Sequence, residues 1–238
     1  MLFAIKAIRF NRQLHYDGGP LPAGIRMMNP FTESEQPLLI AEKFYSKYYN
    51  DNKPRHLILG INPGRFGAGL TGIPFTDPKR LETECHIGYS GKHTHEPSSV
   101  FIYEMIHAYG GAKAFYNDFY INSICPLGFT SVDGKGKEKN YNYYDSRELS
   151  GALRSFIIKN IRTLIEMGVR REICFCFGTG KNEKYLTRLN QEFGFFKKII
   201  SLEHPRYIMQ YKHVEKNDYI HKYLTAFHLI RNISHDQN

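Results

Sequence analysis

Leu57-Ile58-Leu59-Gly60-Ile61 is an unbroken apolar run bounded by polar and turn residues, and it constrains the chain more than any other stretch. Five residues are too few for a free-standing helix, while a strand buried on both faces needs such a run. Residues 118–123, 171–177 and 198–202 read the same way. Between these strands lie helical patterns. A Thr32/Glu35 capping box opens one that runs through Leu38, Leu39, Phe44, Tyr45 and Tyr48. A second begins at Ser98 after Pro97 and stops at Gly110-Gly111. A third begins at Asp145, repeats Leu149, Leu153, Phe156, Ile157, Ile161 and Leu164, and closes at Gly168. Residues 182–193 and 217–230 supply two more.

Strands alternating with helices predict an α/β fold, a three-layer αβα sandwich around a mainly parallel sheet of four strands. No repeat or domain-scale linker interrupts residues 1–238, so a single domain is expected. Its first thirty residues, which hold Gly18-Gly19-Pro20 and little periodicity, are expected to wrap the surface. Ligands of open α/β sheets sit beyond the C-terminal strand ends. The residues just past each strand are therefore the first candidates for a site: Asn62-Pro63-Gly64, Asn122, Gly178-Thr179-Gly180 and His204-Pro205.

Charge narrows the function class. Thirty-two Lys and Arg against 23 Asp and Glu give +9 and a pI near 9.3, a field that attracts polyanions. A membrane span needs about 20 consecutive apolar residues. The apolar runs here are far shorter, and the first residues lack a signal-peptide layout, so no membrane partner and an intracellular location are expected. The four cysteines include only a C-x-C pair, Cys174 and Cys176, inside an apolar run. They read as buried free thiols, His86, His93 and His95 as surface histidines, and no metal or cofactor is expected.

Residues 60–75 pack five glycines and two prolines into sixteen positions, a rigid loop able to bring its backbone close to a ligand. No G-K-[ST] comes after it, so it is not a phosphate-binding P-loop. Asn62, Pro63, Gly64, Phe66, Gly67, Thr71, Gly72, Pro74 and Phe75 match without a gap the first motif of the single-strand-selective monofunctional uracil-DNA glycosylases, which the chain resembles. Arg65, Ala68, Gly69, Leu70 and Thr76 depart from it. His204-Pro205 agrees with the start of that family's second motif, and Asn122-Ser123-Ile124-Cys125-Pro126-Leu127 is similar to a third with one extra residue.

The resemblance implies a glycosylase that flips uracil, and 5-hydroxymethyluracil or a related base, out of DNA and hydrolyses its N-glycosidic bond. It implies that Asn62 places a water and that His204 donates a hydrogen bond to the base O2 as charge builds there. It further implies that Phe75 stacks on the base, Asn122 pairs with its O4 and N3 edge, and Gly64, Phe66 and Ala68 line the base pocket. Gly64 stands where related enzymes carry a bulky Tyr, which implies room for 5-substituents. The segment 205–212 would enter the duplex, with Pro205, Arg206, Tyr207, Met209 and Lys212 meeting DNA. Lys135, Lys137 and Lys139, leading into Tyr141, Tyr143 and Tyr144, read as a solvated loop or, alternatively, as a second candidate DNA grip. No lysine stands at the two catalytic positions, so no lyase step is expected, and a monomer acting on single- or double-stranded DNA is. Two other readings use some of the same residues. One is a non-catalytic sensor of single-stranded or damaged nucleic acid. The other is a small-molecule nucleoside hydrolase or nucleotide-binding enzyme with phosphate at Gly178-Thr179-Gly180.

Overall fold

Seven strands organise the chain in the computed structural model, which describes residues 1–132, 134 and 136–233. They are β1 Ile25–Met28, β2 His56–Gly60, β3 Phe119–Ser123, β4 Gly128–Val132, β5 Glu138–Tyr141, β6 Arg170–Phe177 and β7 Lys198–Leu202. Four of them pair in the order β3-β2-β6-β7, every pairing parallel. All five residues of β2 and of β3 are buried, which a strand achieves only when both faces of its sheet are covered.

Adjacent residues of β3 show what covers each face, because side chains alternate along a strand. Phe119 packs its ring 4.6 Å from Phe227 of the helix Lys216–Ile233. Tyr120 points the other way, 5.1 Å from Phe3 of the helix Phe3–Gln13 and 5.7 Å from Tyr49 at the end of the helix Gln36–Tyr48. The result is the expected αβα sandwich, whose buried apolar side chains form one cluster that includes the strand residues Leu57, Ile58, Leu59 and Phe175. No described helix is long and apolar enough to cross a membrane.

Several local expectations need correction. Residues 3–13, expected to lack periodicity, form a helix whose Phe3, Ala4, Ala7 and Phe10 are buried. Thr32 and Glu35 make no capping box. Asn29 caps a short helix Pro30–Glu33 by accepting from Phe31 N–H, and Glu35 precedes the helix Gln36–Tyr48 without a side-chain bond. The stretch after Asp145 divides at Leu153 into the helices Arg147–Ala152, capped by Ser146, and Arg154–Glu166. A second sheet joins the expected one: β1, β4 and β5 pair antiparallel. The segment 205–212, expected as a loop, is mostly the helix Pro205–Tyr211.

The Lys/Tyr stretch is also rearranged. Residues 138–141 are β5, and Tyr143 is a core side chain whose hydroxyl donates to Asn182 Oδ1 at 2.8 Å. A buried Tyr143 cannot stack on a nucleotide, so that part of the candidate DNA grip is withdrawn; Lys135 lies outside the described residues. The four cysteines are buried and unpaired.

Parallel pairing puts the C-terminal strand ends at one edge. Gly60 is in register with Ser123, Leu59 with Cys176, and Phe177 with Leu202. The connections leaving that edge are tied to one another. Ile124 N–H donates to Gly60 O at 3.0 Å, Cys125 N–H to Ile61 O at 3.1 Å, and Gly178 N–H to Leu202 O at 2.8 Å.

Candidate functional site

A cleft of about 260 Å³ opens at this edge. Asn62, Pro63, Gly64, Ala68 and Phe75 line it from the first loop, Ser123 from the end of β3, and Asn140, Asn142 and Tyr144 from β5 and beyond. Glu96 and Ser98 contribute from the start of the helix Pro97–Tyr109, and His204, Arg206, Tyr207 and Tyr211 from the segment after β7. Asn62 and His204, 142 positions apart by number, thus share one cavity.

The first loop owes its shape to a few residues. Buried Thr71 donates from Oγ1 to Thr76 O at 2.6 Å and accepts from Ile73 N–H at 3.2 Å. Gly72 turns the chain at φ 73°, where a side chain would also collide with the Phe31 ring 2.6 Å away. That reversal delivers Phe75 at φ 54°, a left-handed backbone seldom adopted by an aromatic residue. Such strain persists only where the surroundings enforce it. The Phe75 ring lies 5.6 Å from the His204 ring and 5.8 Å from Phe177. Its other neighbour is Gly60, where an added Cβ would sit 3.0 Å from the ring.

Both ends of the Asn62 amide are held. Its Oδ1 accepts from Tyr143 N–H at 3.2 Å, and its Nδ2 donates to Tyr141 O at 3.3 Å. Tyr141 of β5 and Tyr143 just beyond it therefore fix the orientation of a side chain that follows β2. An amide oxygen has two lone pairs, so Oδ1 can accept one hydrogen bond more.

His204 is fixed as firmly. It precedes the helix Pro205–Tyr211, and its Nδ1 accepts from Arg206 N–H at 3.1 Å. A nitrogen that accepts carries no proton, so in the neutral ring the hydrogen sits on Nε2. Burial, together with the neighbouring Arg206 charge, lowers the imidazole pKa to about 4. The ring is a neutral donor at physiological pH. Glu96 moves the other way: burial and the nearby Asp77 carboxyl raise its pKa to about 7, against a smaller opposing effect of Arg206.

Not every expected residue lines this cleft. Asn122 is on the far side of its wall, in a cavity of about 20 Å³ that shares Pro63, Ala68, Pro74 and Ser123 with the cleft. Its Nδ2 donates to Tyr120 Oη and its Oδ1 accepts from Ser123 N–H. Phe66 is exposed under the Arg65 guanidinium, 4.4 Å from the ring, and borders a neighbouring hollow with Met209. Pro205 is buried as the first residue of its helix, Arg206 and Tyr207 are exposed, and Lys212 pairs with Glu215 at 2.9 Å. Among the described residues no group of three His, Cys, Asp or Glu could hold a metal ion.

Sequence reasoning missed Glu96, Asn140 and Asn142. Asn140 and Asn142 sit inside a stretch that reads as lysines and tyrosines, and their alternation with tyrosines is the available signal. For Glu96 the signal is weaker, a carboxylate directly before the helix-opening Pro97.

Known proteins share this outline. The family model of the uracil DNA glycosylase superfamily matches residues 46–228. Single-strand selective monofunctional uracil-DNA glycosylase of Rattus norvegicus is 25% identical over 150 residues, covering 56% of this chain and 52% of the relative. Its Mus musculus counterpart is 23% identical with the same coverage. The chain thus spans about half the length of these curated relatives. The crystal structure of wild-type Pedobacter heparinus SMUG2 superposes with a TM-score of 0.96 at 64% identity, covering 98% of this chain and 99% of that one.

Proposed function

The chain belongs to the uracil DNA glycosylase superfamily, and from that membership we propose that it is a monofunctional glycosylase that flips uracil out of DNA and hydrolyses the N-glycosidic bond. The observation that carries this reading is one cleft lined by an oriented amide, Asn62, and a neutral imidazole donor, His204. A base inside a duplex is out of reach, so extrusion comes first, at a cost of a few kcal/mol. Exposed Tyr207 and Tyr211 at the cleft rim can fill the gap it leaves, and Arg206 can meet phosphate.

Within the cleft the flipped ring packs on Phe75. As the bond between N1 and C1′ breaks, its electron pair passes to the base and C1′ becomes oxocarbenium-like. His204 Nε2–H donates to O2, where negative charge accumulates; a preorganised donor of this kind contributes most where water is excluded. Asn62 Oδ1 accepts from a water and aims its oxygen at C1′. The water oxygen bonds to C1′ and its proton leaves to solvent, while the departing uracil anion takes a proton at N1 from solvent. Uracil and an abasic sugar result, and among the described residues the cleft walls offer no lysine for a Schiff base. Ser123 meets the edge of the base in the cleft, and Asn122, behind the shared wall, holds Ser123 in place by accepting from its N–H. The lack of a side chain at Gly64, which lines the cleft, supports including 5-hydroxymethyluracil in the proposed substrate range.

An end-labelled oligonucleotide with a single uracil tests the proposal. Incubation with the protein should yield strand scission after alkali and none before it. Scission without alkali contradicts the monofunctional reading, and none after alkali contradicts glycosylase activity.

A further inference from the structure

A hollow of about 600 Å³ adjoins the cleft and has no part in the chemistry above. Glu96, Ser98, Asn140, Arg206 and Gln210 line both cavities. Arg206 and Gln210 are exposed, and so mark a rim common to the two. The helix Pro205–Tyr211 turns a different face to each. Arg206, Met209 and Gln210, three and four positions apart, line the hollow, while Tyr207 and Tyr211 line the cleft alone. The first loop adds Arg65 and Phe66 to the hollow.

The side chain of Phe66 is held out to solvent on a fastened backbone. Thr94 Oγ1 donates to Phe66 O at 2.5 Å, and Arg65 N–H donates to Asn140 Oδ1 at 3.2 Å. The ring is nevertheless 46% exposed, with the Arg65 guanidinium 4.4 Å from its centre. Phe66, Tyr207 and Tyr211 are the exposed aromatic side chains among the described residues, and all three border the cleft or this hollow. Arg65, Lys139 and Arg206 bring positive charge to the hollow, whose own lining holds the one carboxyl of Glu96. Glu138 also pairs with Arg65, through a single guanidinium nitrogen at 3.4 Å. Aromatic and guanidinium planes set among cations are how proteins hold unpaired nucleotides.

The position of Arg206 sets what the hollow receives. Because it lines both cavities, it can meet the phosphate that joins the extruded nucleotide to its neighbour. The next base lies one backbone unit beyond that phosphate. In a duplex this base is paired and stacked inside the helix, whereas in a single strand it is free to swing out. We propose that the hollow is a stacking subsite for the base next to the extruded uracil in single-stranded DNA. Phe66 and Arg65 form its platform, and Met209 is an apolar wall whose flexible thioether adapts to different bases. The hollow's size falls within the roughly 300–1,000 Å³ of sites that hold small ligands. Purines, with the larger ring face, should occupy it best. The subsite rests on the glycosylase reading and adds a second point of contact to it.

The test uses the whole protein and single-stranded oligonucleotides with one uracil, flanked on its 5′ or its 3′ side by adenine, thymine or an abasic spacer. Single-turnover excision over a range of protein concentrations gives the half-saturating concentration for each. A spacer on one side, and on that side only, should raise this concentration about fivefold or more relative to adenine, the scale of one lost stack. Thymine should fall between the two. Phe66→Ala should cost a similar factor on the adenine-flanked strand and make the spacer harmless, because two changes that remove one contact do not add. Phe66→Tyr, which keeps a ring, should retain the dependence on the flanking base. On duplex DNA the Phe66→Ala effect should be several-fold smaller. A spacer that costs nothing on either side overturns the inference, as do equal losses on both sides, or spacer and Phe66→Ala losses that multiply. Excision from duplex but not from single-stranded DNA also overturns it and leaves the glycosylase reading intact. Excision from neither sinks that reading as well.

Discussion

His204→Ala should slow single-turnover uracil excision by about 10²–10³-fold, the loss of roughly 2.7–4 kcal/mol associated with one preorganised donor. Binding of DNA carrying an uncleavable uracil nucleotide should change far less, because the donor acts on charge that exists only as the bond breaks. The size of the effect depends on the ring being fixed and neutral. Arg206 N–H occupies Nδ1 and leaves the hydrogen on Nε2, so no proton or ring rotation is required when the base departs. The same state sets the pH dependence. With a pKa held to about 4, the ring contributes no change in rate between about pH 5 and pH 8. The shift also acts on stability. An unfolded chain takes up the His204 proton near the ordinary imidazole value, while the folded protein takes it up only near 4. Stability is therefore lost as pH falls from about 6.5 toward about 4, and His204→Ala should remove that part of the acid sensitivity.

Asn62→Ala should cost about 10²-fold or more in the same assay, the scale of misplacing a reacting group by about 1 Å. Two effects combine. The water loses the oxygen that aims it, and Tyr143 N–H and Tyr141 O lose the amide that ties them to the residue following β2. Asn62→Asp separates them. A carboxylate keeps the acceptor for Tyr143 N–H but places an oxygen against the Tyr141 carbonyl, where Nδ2 now donates over 3.3 Å. That bond is long and its loss small, while a negative charge facing an oxocarbenium-like sugar is favourable. Asn62→Asp should therefore retain markedly more activity than Asn62→Ala. Equal rates for the two variants would show that Asn62 serves the scaffold and not the water.

How much of the fold and site is legible in the sequence depends on how local each cause is. The four parallel strands are legible because burial on both faces demands apolar runs such as 57–61. The first loop is legible because Thr71, Gly72 and Phe75 solve a local problem within a few residues. The second sheet is not. Half-exposed β5 carries Glu138, Lys139, Asn140 and Tyr141, whose polarity gives no strand signal, and β1 pairs with β4 across about a hundred residues of chain. The helix Phe3–Gln13 does carry Phe3, Ala7 and Phe10 at helical spacing, but lysine and arginine between them and the glycines after them obscure it. Site residues divide in the same way. Asn62 and His204 come just after strand ends and can be placed by topology, whereas Glu96 acquires meaning only through Gly64, Gly67 and Asn140, contacts made by the folded chain. Asn122 also stands at a strand end, yet one residue of strand alternation puts Ser123 in the cleft and Asn122 behind it.

A crystal structure of the protein with an oligonucleotide carrying 2′-fluoro-2′-deoxyuridine, which resists hydrolysis, addresses the shared cleft most directly. The uracil should be extrahelical and packed on Phe75, with O2 in hydrogen-bond reach of His204 Nε2 and a water between Asn62 Oδ1 and C1′. A base bound with O2 turned away from His204, or seated outside this cleft, would contradict the account.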